Sequence, residues 1–186
     1  ATLDDAGPSS VLVAASSAGL IYRLDPLGGD EVRTYSTGGS PRYPPVVYEG
    51  MAIVLLDGWL VSATDLSVEA GSPVWQHPLP AGPSANMTLA SVAGAAYGYV
   101  PCGDILHAFS FTSETVEDAW ERRLDDPING PAAIHRGQVV VGTTEVYREQ
   151  VVVATTDVHG IDAAKGGPDL WSYNGLMQHE RSEERR

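Results

Sequence analysis

Short apolar runs recur along the chain, and each is followed by an Asp or Ser and then by polar or turn-forming residues. An apolar run that ends in this way is typical of a β-strand entering a hairpin. No window of useful length repeats apolar residues with helical spacing, and the 13 Pro and 20 Gly would interrupt helices. The pattern therefore predicts an all-β chain. The four runs cover residues 20–24, 60–64, 105–109 and 158–161.

An aromatic residue follows each of these Asp or Ser residues at a nearly constant separation of 10, 10, 10 and 9 positions. A repeat of this kind indicates a fold built by stacking one supersecondary unit. We expect the Asp to accept backbone N–H bonds within the turn and the aromatic residue to begin the return strand. The four pairs are Asp25 with Tyr35, Asp65 with Trp75, Ser110 with Trp120, and Asp162 with Trp171.

A second landmark sets the length of the repeated unit: an apolar stretch closed by Gly and followed by another β-type run. The glycines are Gly50, Gly94 and Gly137, so their spacings are 44 and 43 residues. Four short strands in about 40–45 residues have the size of one propeller blade. The predicted fold is a β-propeller of four-stranded antiparallel blades, with about three and a half to four blades present.

The blades are predicted at approximately 11–50, 51–94, 95–137 and 138–173, after an N-terminal extension (1–10) and before a polar C-terminal tail (174–186). If the complete ring has more blades than this chain supplies, the first and last blades of the chain each have one face without a neighbouring blade. We therefore expect other protein chains at these faces. A fragment of a longer protein, a ring completed by another chain and a small four-bladed ring are the three explanations.

The fourth unit, residues 158–171, resembles the repeat of pyrroloquinoline-quinone-type (PQQ-like) β-propellers, in which an apolar stretch, Asp, a Gly turn and Trp follow one another. The unit from Asp65 to Trp75 matches with a longer turn. The first unit has Tyr35 in place of Trp, and the third has Ser110 in place of Asp and lacks the Gly. The resemblance covers residues 11 to about 173, nearly the whole chain.

In that family the Trp of one blade docks against the next blade, so the resemblance implies that the four Asp or Ser and aromatic pairs are structural. A Trp buries about 150–250 Å² and can donate its ring N–H, which suits a recurring contact between blades. The alternative is an aromatic and acidic ligand site, but such a site would not need four copies at one spacing. A WD-type propeller is a further alternative, disfavoured because no Trp-Asp pair ends a strand.

The charge excludes some classes of partner. With 11 basic and 24 acidic residues the net charge is −13, and basic residues do not cluster outside the C-terminal tail and Glu121-Arg122-Arg123. Binding to nucleic acid requires clustered cations, so it is not expected. No stretch of 18 apolar residues is present, so neither a transmembrane helix nor a signal peptide is predicted.

A quinoprotein dehydrogenase is the enzyme that the resemblance suggests, and it would use a vicinal cysteine pair and a Ca²⁺ held by Glu, Asn and Asp. The chain has a single cysteine, Cys102, so the pair is absent. Cys102 is interpreted as a half-buried small residue and not as a reactive thiol. No catalytic residue, metal or cofactor is therefore predicted.

Five histidines are scattered along the chain without the spacing of a metal site. His107 and His159 occupy comparable places in the third and fourth units. One hypothesis is that both face a central channel and bind an anion or a metal. The other is that they are solvent-facing or hydrogen-bonded strand residues.

The expected function is that of a non-catalytic scaffold for protein–protein interaction, binding extended segments of partners partly by strand addition. The chain resembles the lipoprotein scaffolds of outer-membrane protein assembly and other extracytoplasmic PQQ-like propellers. The resemblance thus favours a periplasmic, secreted or luminal location. The alternatives are a portion of a quinoprotein or sugar-dehydrogenase propeller and a luminal sensor domain like those of stress-response kinases.

Overall fold

The computed structural model describes residues 2–4, 11–69, 71–143, 157–166 and 171–174. These residues form β-strands and connecting turns, and this part of the chain contains no helix that could cross a membrane. The strands are β1 (Thr2–Asp4), β2 (Val11–Ser16), β3 (Leu20–Leu24), β4 (Glu31–Ser36), β5 (Val46–Tyr48), β6 (Met51–Leu56), β7 (Leu60–Asp65), β8 (Trp75–Pro78), β9 (Thr88–Val92), β10 (Ala95–Cys102), β11 (Ile105–Phe111), β12 (Val116–Arg123), β13 (Ala133–His135), β14 (Gln138–Thr143), β15 (Asp157–Asp162) and β16 (Trp171–Asn174).

Each group of four consecutive strands forms one antiparallel sheet in which sequential strands are neighbours. We call these sheet 1 (β1–β4), sheet 2 (β5–β8), sheet 3 (β9–β12) and sheet 4 (β13–β16). The prediction of an all-β fold made of four-stranded antiparallel blades is confirmed.

The sheets begin one strand earlier than the predicted units. In sheet 2, β5 pairs with β6 across a tight turn whose residues Glu49 and Gly50 have positive φ values of 46° and 78°. This geometry is that of a two-residue hairpin turn, so the Gly marks a turn within a blade and not a boundary between blades. The predicted extension 1–10 is likewise corrected, because residues 2–4 form β1 and pair with β2.

Apolar side chains pack between successive sheets in three clusters, one at each interface. Strand β6 shows the arrangement most clearly, because every one of its residues is buried. Ala52, Val54 and Leu56 belong to the cluster shared with sheet 1. Met51, Ile53 and Leu55 belong to the cluster shared with sheet 3. Alternate residues of a strand point to opposite faces, so sheet 2 is covered on both sides.

Sheets that follow one another in the chain are also neighbours in space. Their first strands contact each other in the order β1, β5, β9 and β13, and β8 contacts β12. Among the described residues, sheets 1 and 4 make no extensive contact with each other. The faces of sheets 2 and 3 are therefore interfaces, whereas sheet 1 has one face outside the described stack.

Candidate functional site

The aromatic residues of the repeat extend from each sheet to the next. In each case the side chain donates a hydrogen bond to the carbonyl of the first residue after the third strand of the following sheet. The bonds join Tyr35 Oη to Leu66 O (2.9 Å), Trp75 Nε1 to Thr112 O (3.2 Å) and Trp120 Nε1 to Ala163 O (3.1 Å). One contact is thus repeated at all three interfaces.

Packing around these side chains differs between interfaces. Tyr35 is fully buried, and its hydroxyl also lies 3.2 Å from the carbonyl oxygen of Val68. Trp75 packs edge-on against Phe109, with ring centroids 6.2 Å apart. The ring of Trp120 lies so close to Gly166 that a Cβ there would be 2.4 Å from it, so only glycine fits in this turn.

Asp25 and Asp65 hold the turns that follow the third strands of sheets 1 and 2. The Asp25 Oδ1 accepts the N–H of Leu27 at 2.9 Å, and the Asp65 Oδ1 accepts that of Ser67 at 2.7 Å. Both are turns in which the side chain bonds to the backbone two residues later. In sheet 4, Asp162 ends β15 and Trp171 begins β16, but their side chains lie outside the described residues.

In sheet 3 this turn contact belongs to Thr112 and not to Ser110. Ser110 lies within β11, whereas the Thr112 hydroxyl accepts the N–H groups of Glu114 at 3.1 Å and Thr115 at 3.0 Å. β11 continues to Phe111 and a short turn at 112–115 leads directly into β12, so the turn residue precedes Trp120 by eight positions and not by ten. The run of Thr and Ser after the strand was the signal that could have identified Thr112.

Two histidines and two carboxylates meet between sheets 2 and 3. The Nε2 atoms of His77 on β8 and His107 on β11 are 3.2 Å apart, and the two rings are stacked. The Asp118 Oδ1 lies 2.9 Å from His77 Nε2 and 3.4 Å from His107 Nε2. On the other side of the His107 ring, Nδ1 lies 3.2 Å from the Glu121 Oε1. We call these four residues the histidine cluster.

Burial is the main influence on the pKa of His107. The His107 side chain is 1% exposed, and burial lowers its pKa, whereas the neighbouring Asp118 carboxylate acts in the opposite direction. The nearby His77 lowers this pKa further, and the hydrogen bond to Glu121 raises it. The net direction is downward, which favours a neutral imidazole.

The buried thiol in the same interface is chemically quiet. Burial raises the pKa of Cys102 to about 11. The negative charge of Glu121 also raises this pKa, whereas a hydrogen bond from the backbone of Ala81 lowers it. Because the thiolate is the reactive form, a thiol held protonated in this way is a poor nucleophile.

The two histidines singled out from the sequence are not brought together. His107 is buried against sheet 2, because its strand register places it on the face of β11 that carries Phe109. It therefore does not face a channel. His159 lies in β15 opposite Val141 and Ser172, and its side chain lies outside the described residues. The neighbour of His107 is His77, which is 30 residues away in the chain and belongs to another sheet.

Two further surface features lie at opposite ends of the sheets. Between sheets 2 and 3, the turns around 49–50, 93–94 and 112–115 border a cleft of about 710 Å³. At the other end, the half-exposed Trp59 occupies the hairpin turn between β6 and β7 with a positive φ of 63°. Gly19 precedes the third strand of sheet 1 at the same place, so the Trp is not part of the repeat.

The outer face of sheet 1 is apolar and only partly covered. Residues that alternate with the buried Val13, Ile21 and Tyr35 point away from sheet 2. These side chains have intermediate exposure and, among the described residues, belong to none of the three core clusters. They are Leu12, Ala14, Leu20, Tyr22 and Leu24. We call this set the open face.

No protein-family model and no curated protein matches the chain. Solved structures do match. BamB from Moraxella catarrhalis has a TM-score of 0.58 and 16% identity over 93% of this chain and 63% of BamB. The quinohemoprotein alcohol dehydrogenase ADHIIG from Pseudomonas putida HK5 has a TM-score of 0.62 and 13% identity over 88% of this chain and 32% of the dehydrogenase.

A third match is BBS1N in its complex with ARL6DN, with a TM-score of 0.63 and 17% identity over 91% of this chain and 49% of that chain. This chain spans between 32% and 63% of the lengths of these three proteins. At such identities the similarity shows the fold alone. The fold is that of the β-propeller proteins.

Proposed function

We propose that the chain is a propeller-type scaffold that binds other protein through the open face of sheet 1. The observation that carries this proposal is that five apolar residues on one face of this sheet keep intermediate exposure, whereas every residue of the corresponding strand β6 in sheet 2 is buried. A large apolar patch on a protein surface marks an interaction site.

The occupant that fits the open face is a further four-stranded sheet of the same repeat. At all three described interfaces, apolar residues of one sheet, alternating along the strand, pack against the next sheet. The open face continues this alternation on β2 and β3, with Leu12 opposite Leu24 and Ala14 opposite Tyr22. A second sheet would cover these pairs in the way that sheet 2 covers the opposite side.

Covering the open face would contribute a favourable free energy. Full burial of one Leu side chain stabilises by about 1.5–3 kcal/mol, and the partly covered residues here would gain a fraction of that each. The matched propeller chains are all longer than this one, which supports the presence of further sheets. The complex of BBS1N with ARL6DN supports protein binding as a use of this fold.

The enzyme alternative rests on the match to a quinohemoprotein alcohol dehydrogenase, which concerns the fold. A chain with the single, buried Cys102 cannot supply a vicinal cysteine pair itself. Bound quinone or Ca²⁺ in protein from the natural source would favour that alternative, and dimers that bind unfolded peptides would favour a luminal stress sensor. An extracytoplasmic location remains part of the proposal, and fractionation of the source cells tests it.

Photo-crosslinking from the open face tests the scaffold function. A photoreactive phenylalanine derivative replaces Tyr22 on the open face or, as the matched control, Leu27, which is 97% exposed in a turn of the same sheet. After irradiation in the organism of origin, adducts are mapped by mass spectrometry. We expect position 22 to crosslink to strand residues of another propeller sheet and position 27 to give no such adduct.

Other outcomes of this experiment decide against the proposal. Adducts from position 22 that map only within this chain would mean that its own segments cover the face. The absence of protein adducts at position 22, with efficient activation of the probe, would mean that the face is simply solvated.

A further inference from the structure

We propose that His77, His107 and Asp118 form a binding site for a divalent transition metal, best suited to Zn²⁺, that joins sheet 2 to sheet 3. This inference is independent of the proposed scaffold function. It rests on the convergence of three ligand atoms, on the hydrogen bonding of His107 and on the irregularity of β12.

The three ligand atoms lie at the mutual distances that one metal ion requires. The two Nε2 atoms and the Asp118 Oδ1 form a triangle with sides of 3.2, 2.9 and 3.4 Å. In a tetrahedral zinc site with bonds of about 2.0–2.1 Å, neighbouring ligand atoms are separated by about 3.3 Å. An ion placed just off the plane of the triangle would therefore reach all three atoms at normal bond lengths.

The hydrogen bonding of the histidine cluster leaves three acceptor atoms facing one another, an arrangement that a cation would satisfy. The Glu121 carboxylate accepts a hydrogen bond from His107 Nδ1, which leaves a lone pair on His107 Nε2. That lone pair faces a second imidazole nitrogen and a carboxylate oxygen. A single proton on His77 Nε2 would have to serve both acceptors, whereas a metal ion satisfies all three atoms. A carboxylate behind a histidine ligand is the usual supporting partner in zinc sites.

A β-bulge brings the two carboxylates to the same side of β12. Asp118 and Glu121 are three positions apart, which in a regular strand would place them on opposite faces. The register shift pairs Asp118 with Phe109 and Glu121 with His107, so both side chains reach His107. Bulges occur where a strand must redirect a side chain, and here the redirected group is the third ligand.

The donor set and its surroundings indicate the class of metal. Two imidazoles and one carboxylate suit Zn²⁺ and neighbouring transition metals better than Mg²⁺ or Ca²⁺, which prefer oxygen ligands alone. The Asp118 side chain is 75% exposed, so the ion can enter from solvent and keep a water molecule as its fourth ligand. Because His77 belongs to sheet 2 and the other ligands to sheet 3, the ion would hold two blades together.

The test uses the full chain without a histidine tag, titrated with ZnCl₂ in a calorimeter and melted with and without the metal. Asp118→Asn removes the ligand oxygen's charge, and Glu117→Gln on the same strand is the matched control because it removes one exposed charge outside the cluster. Glu121→Gln tests the supporting partner of His107. Co²⁺ replaces Zn²⁺ for a spectroscopic readout of tetrahedral coordination.

We expect a single Zn²⁺ to bind and to raise the melting temperature, because a ligand bound only by the folded state stabilises it. Asp118→Asn should abolish this rise and the tetrahedral Co²⁺ absorption, whereas Glu117→Gln should keep both. Glu121→Gln should weaken Zn²⁺ binding by about 10–100-fold. Equal Zn²⁺ affinity of the unaltered chain and Asp118→Asn, or an equal rise with Mg²⁺, would overturn the proposal and leave a hydrogen-bonded histidine pair.

Discussion

Sheet 2 and sheet 1 have the same topology, but their surroundings differ. Both are four-stranded antiparallel meanders, and both carry apolar residues on the two faces of their central strands. In sheet 2 every residue of β6 is buried, because sheets 1 and 3 cover its two faces. In sheet 1 the face with Val13 and Ile21 is buried, whereas Tyr22 and Leu24 on the other face keep intermediate exposure.

The difference shows that a neighbouring sheet, and not the strand sequence, decides whether a face is core or surface. Apolar residues alternate along the strands of both sheets; in sheet 2 they form a buried interface, and in sheet 1 they form the open face. A residue on the open face should therefore contribute little to the stability of the isolated chain and much more when another sheet covers it.

The largest expected effect is on the free energy of unfolding, when one Leu is shortened to Ala in the buried interface and another on the open face. Leu55→Ala, in the interface of sheets 2 and 3, should lower the free energy of unfolding by about 2–5 kcal/mol, since it leaves a cavity among packed side chains. Leu24→Ala on the open face should cost about 1 kcal/mol or less in the isolated chain. Urea unfolding with comparable slopes measures both. Equal losses would contradict the comparison.

A smaller effect is expected when one hydroxyl is removed from either face of sheet 1. Tyr35→Phe deletes the donor to the Leu66 and Val68 carbonyls of sheet 2 and should cost about 0.5–1.5 kcal/mol. Tyr22→Phe, on the open face of the same sheet, should be close to neutral. Chemical denaturation of the two variants side by side gives the difference. A neutral Tyr35→Phe would show that the repeated contact does not hold the blades together.

Near neutral pH the smallest effect on stability is expected at Cys102, because its contribution appears only at alkaline pH. Burial raises its pKa from 9.0 to about 11, so between these values the unfolded chain loses the thiol proton and the folded chain keeps it. Stability should thus be unaffected by Cys102 below about pH 9 and should fall as the pH rises from 9 towards 11. The Cys102→Ala variant should lack this part of the alkaline loss in urea titrations across that range.

Reactivity provides the companion measurement for Cys102. Near pH 8 the thiol of the folded chain should react slowly with a thiol-specific reagent and rapidly once urea unfolds the protein, because the thiolate is the reacting form. Fast labelling of the folded chain would show that the interface of sheets 2 and 3 opens readily.

The fold followed from local features of the sequence. Apolar runs that end at turn residues indicate hairpins, and the repeat spacing located Tyr35, Trp75 and Trp120, whose side chains reach the next sheet. The boundaries of the blades could not be predicted as well, because the sequence does not distinguish a Gly in a hairpin turn within a blade from a Gly between two blades. Residues 2–4 likewise gain their strand from pairing with β2 and not from their own pattern.

The histidine cluster lay beyond sequence reasoning for a different physical reason. His77 and His107 are 30 residues apart and come from different sheets, so their contact depends on how two blades pack. The bulge that brings Asp118 beside them arises from the register of β12 on β11. No local spacing rule for metal ligands describes such a site, whereas the place of His107 within an apolar run was visible in the sequence.

Covalent labelling of sheet 1 tests the central claim most directly. Hydroxyl radicals label exposed side chains, and mass spectrometry reads Tyr22 and Leu24 of the open face, the exposed Leu27 and the buried Ile21 in one experiment. We predict that Tyr22 and Leu24 label in the isolated chain and are protected in material from the natural source, whereas Leu27 labels and Ile21 stays protected in both. Equal labelling of Tyr22 and Leu24 in the two samples would contradict the claim that another sheet covers the open face.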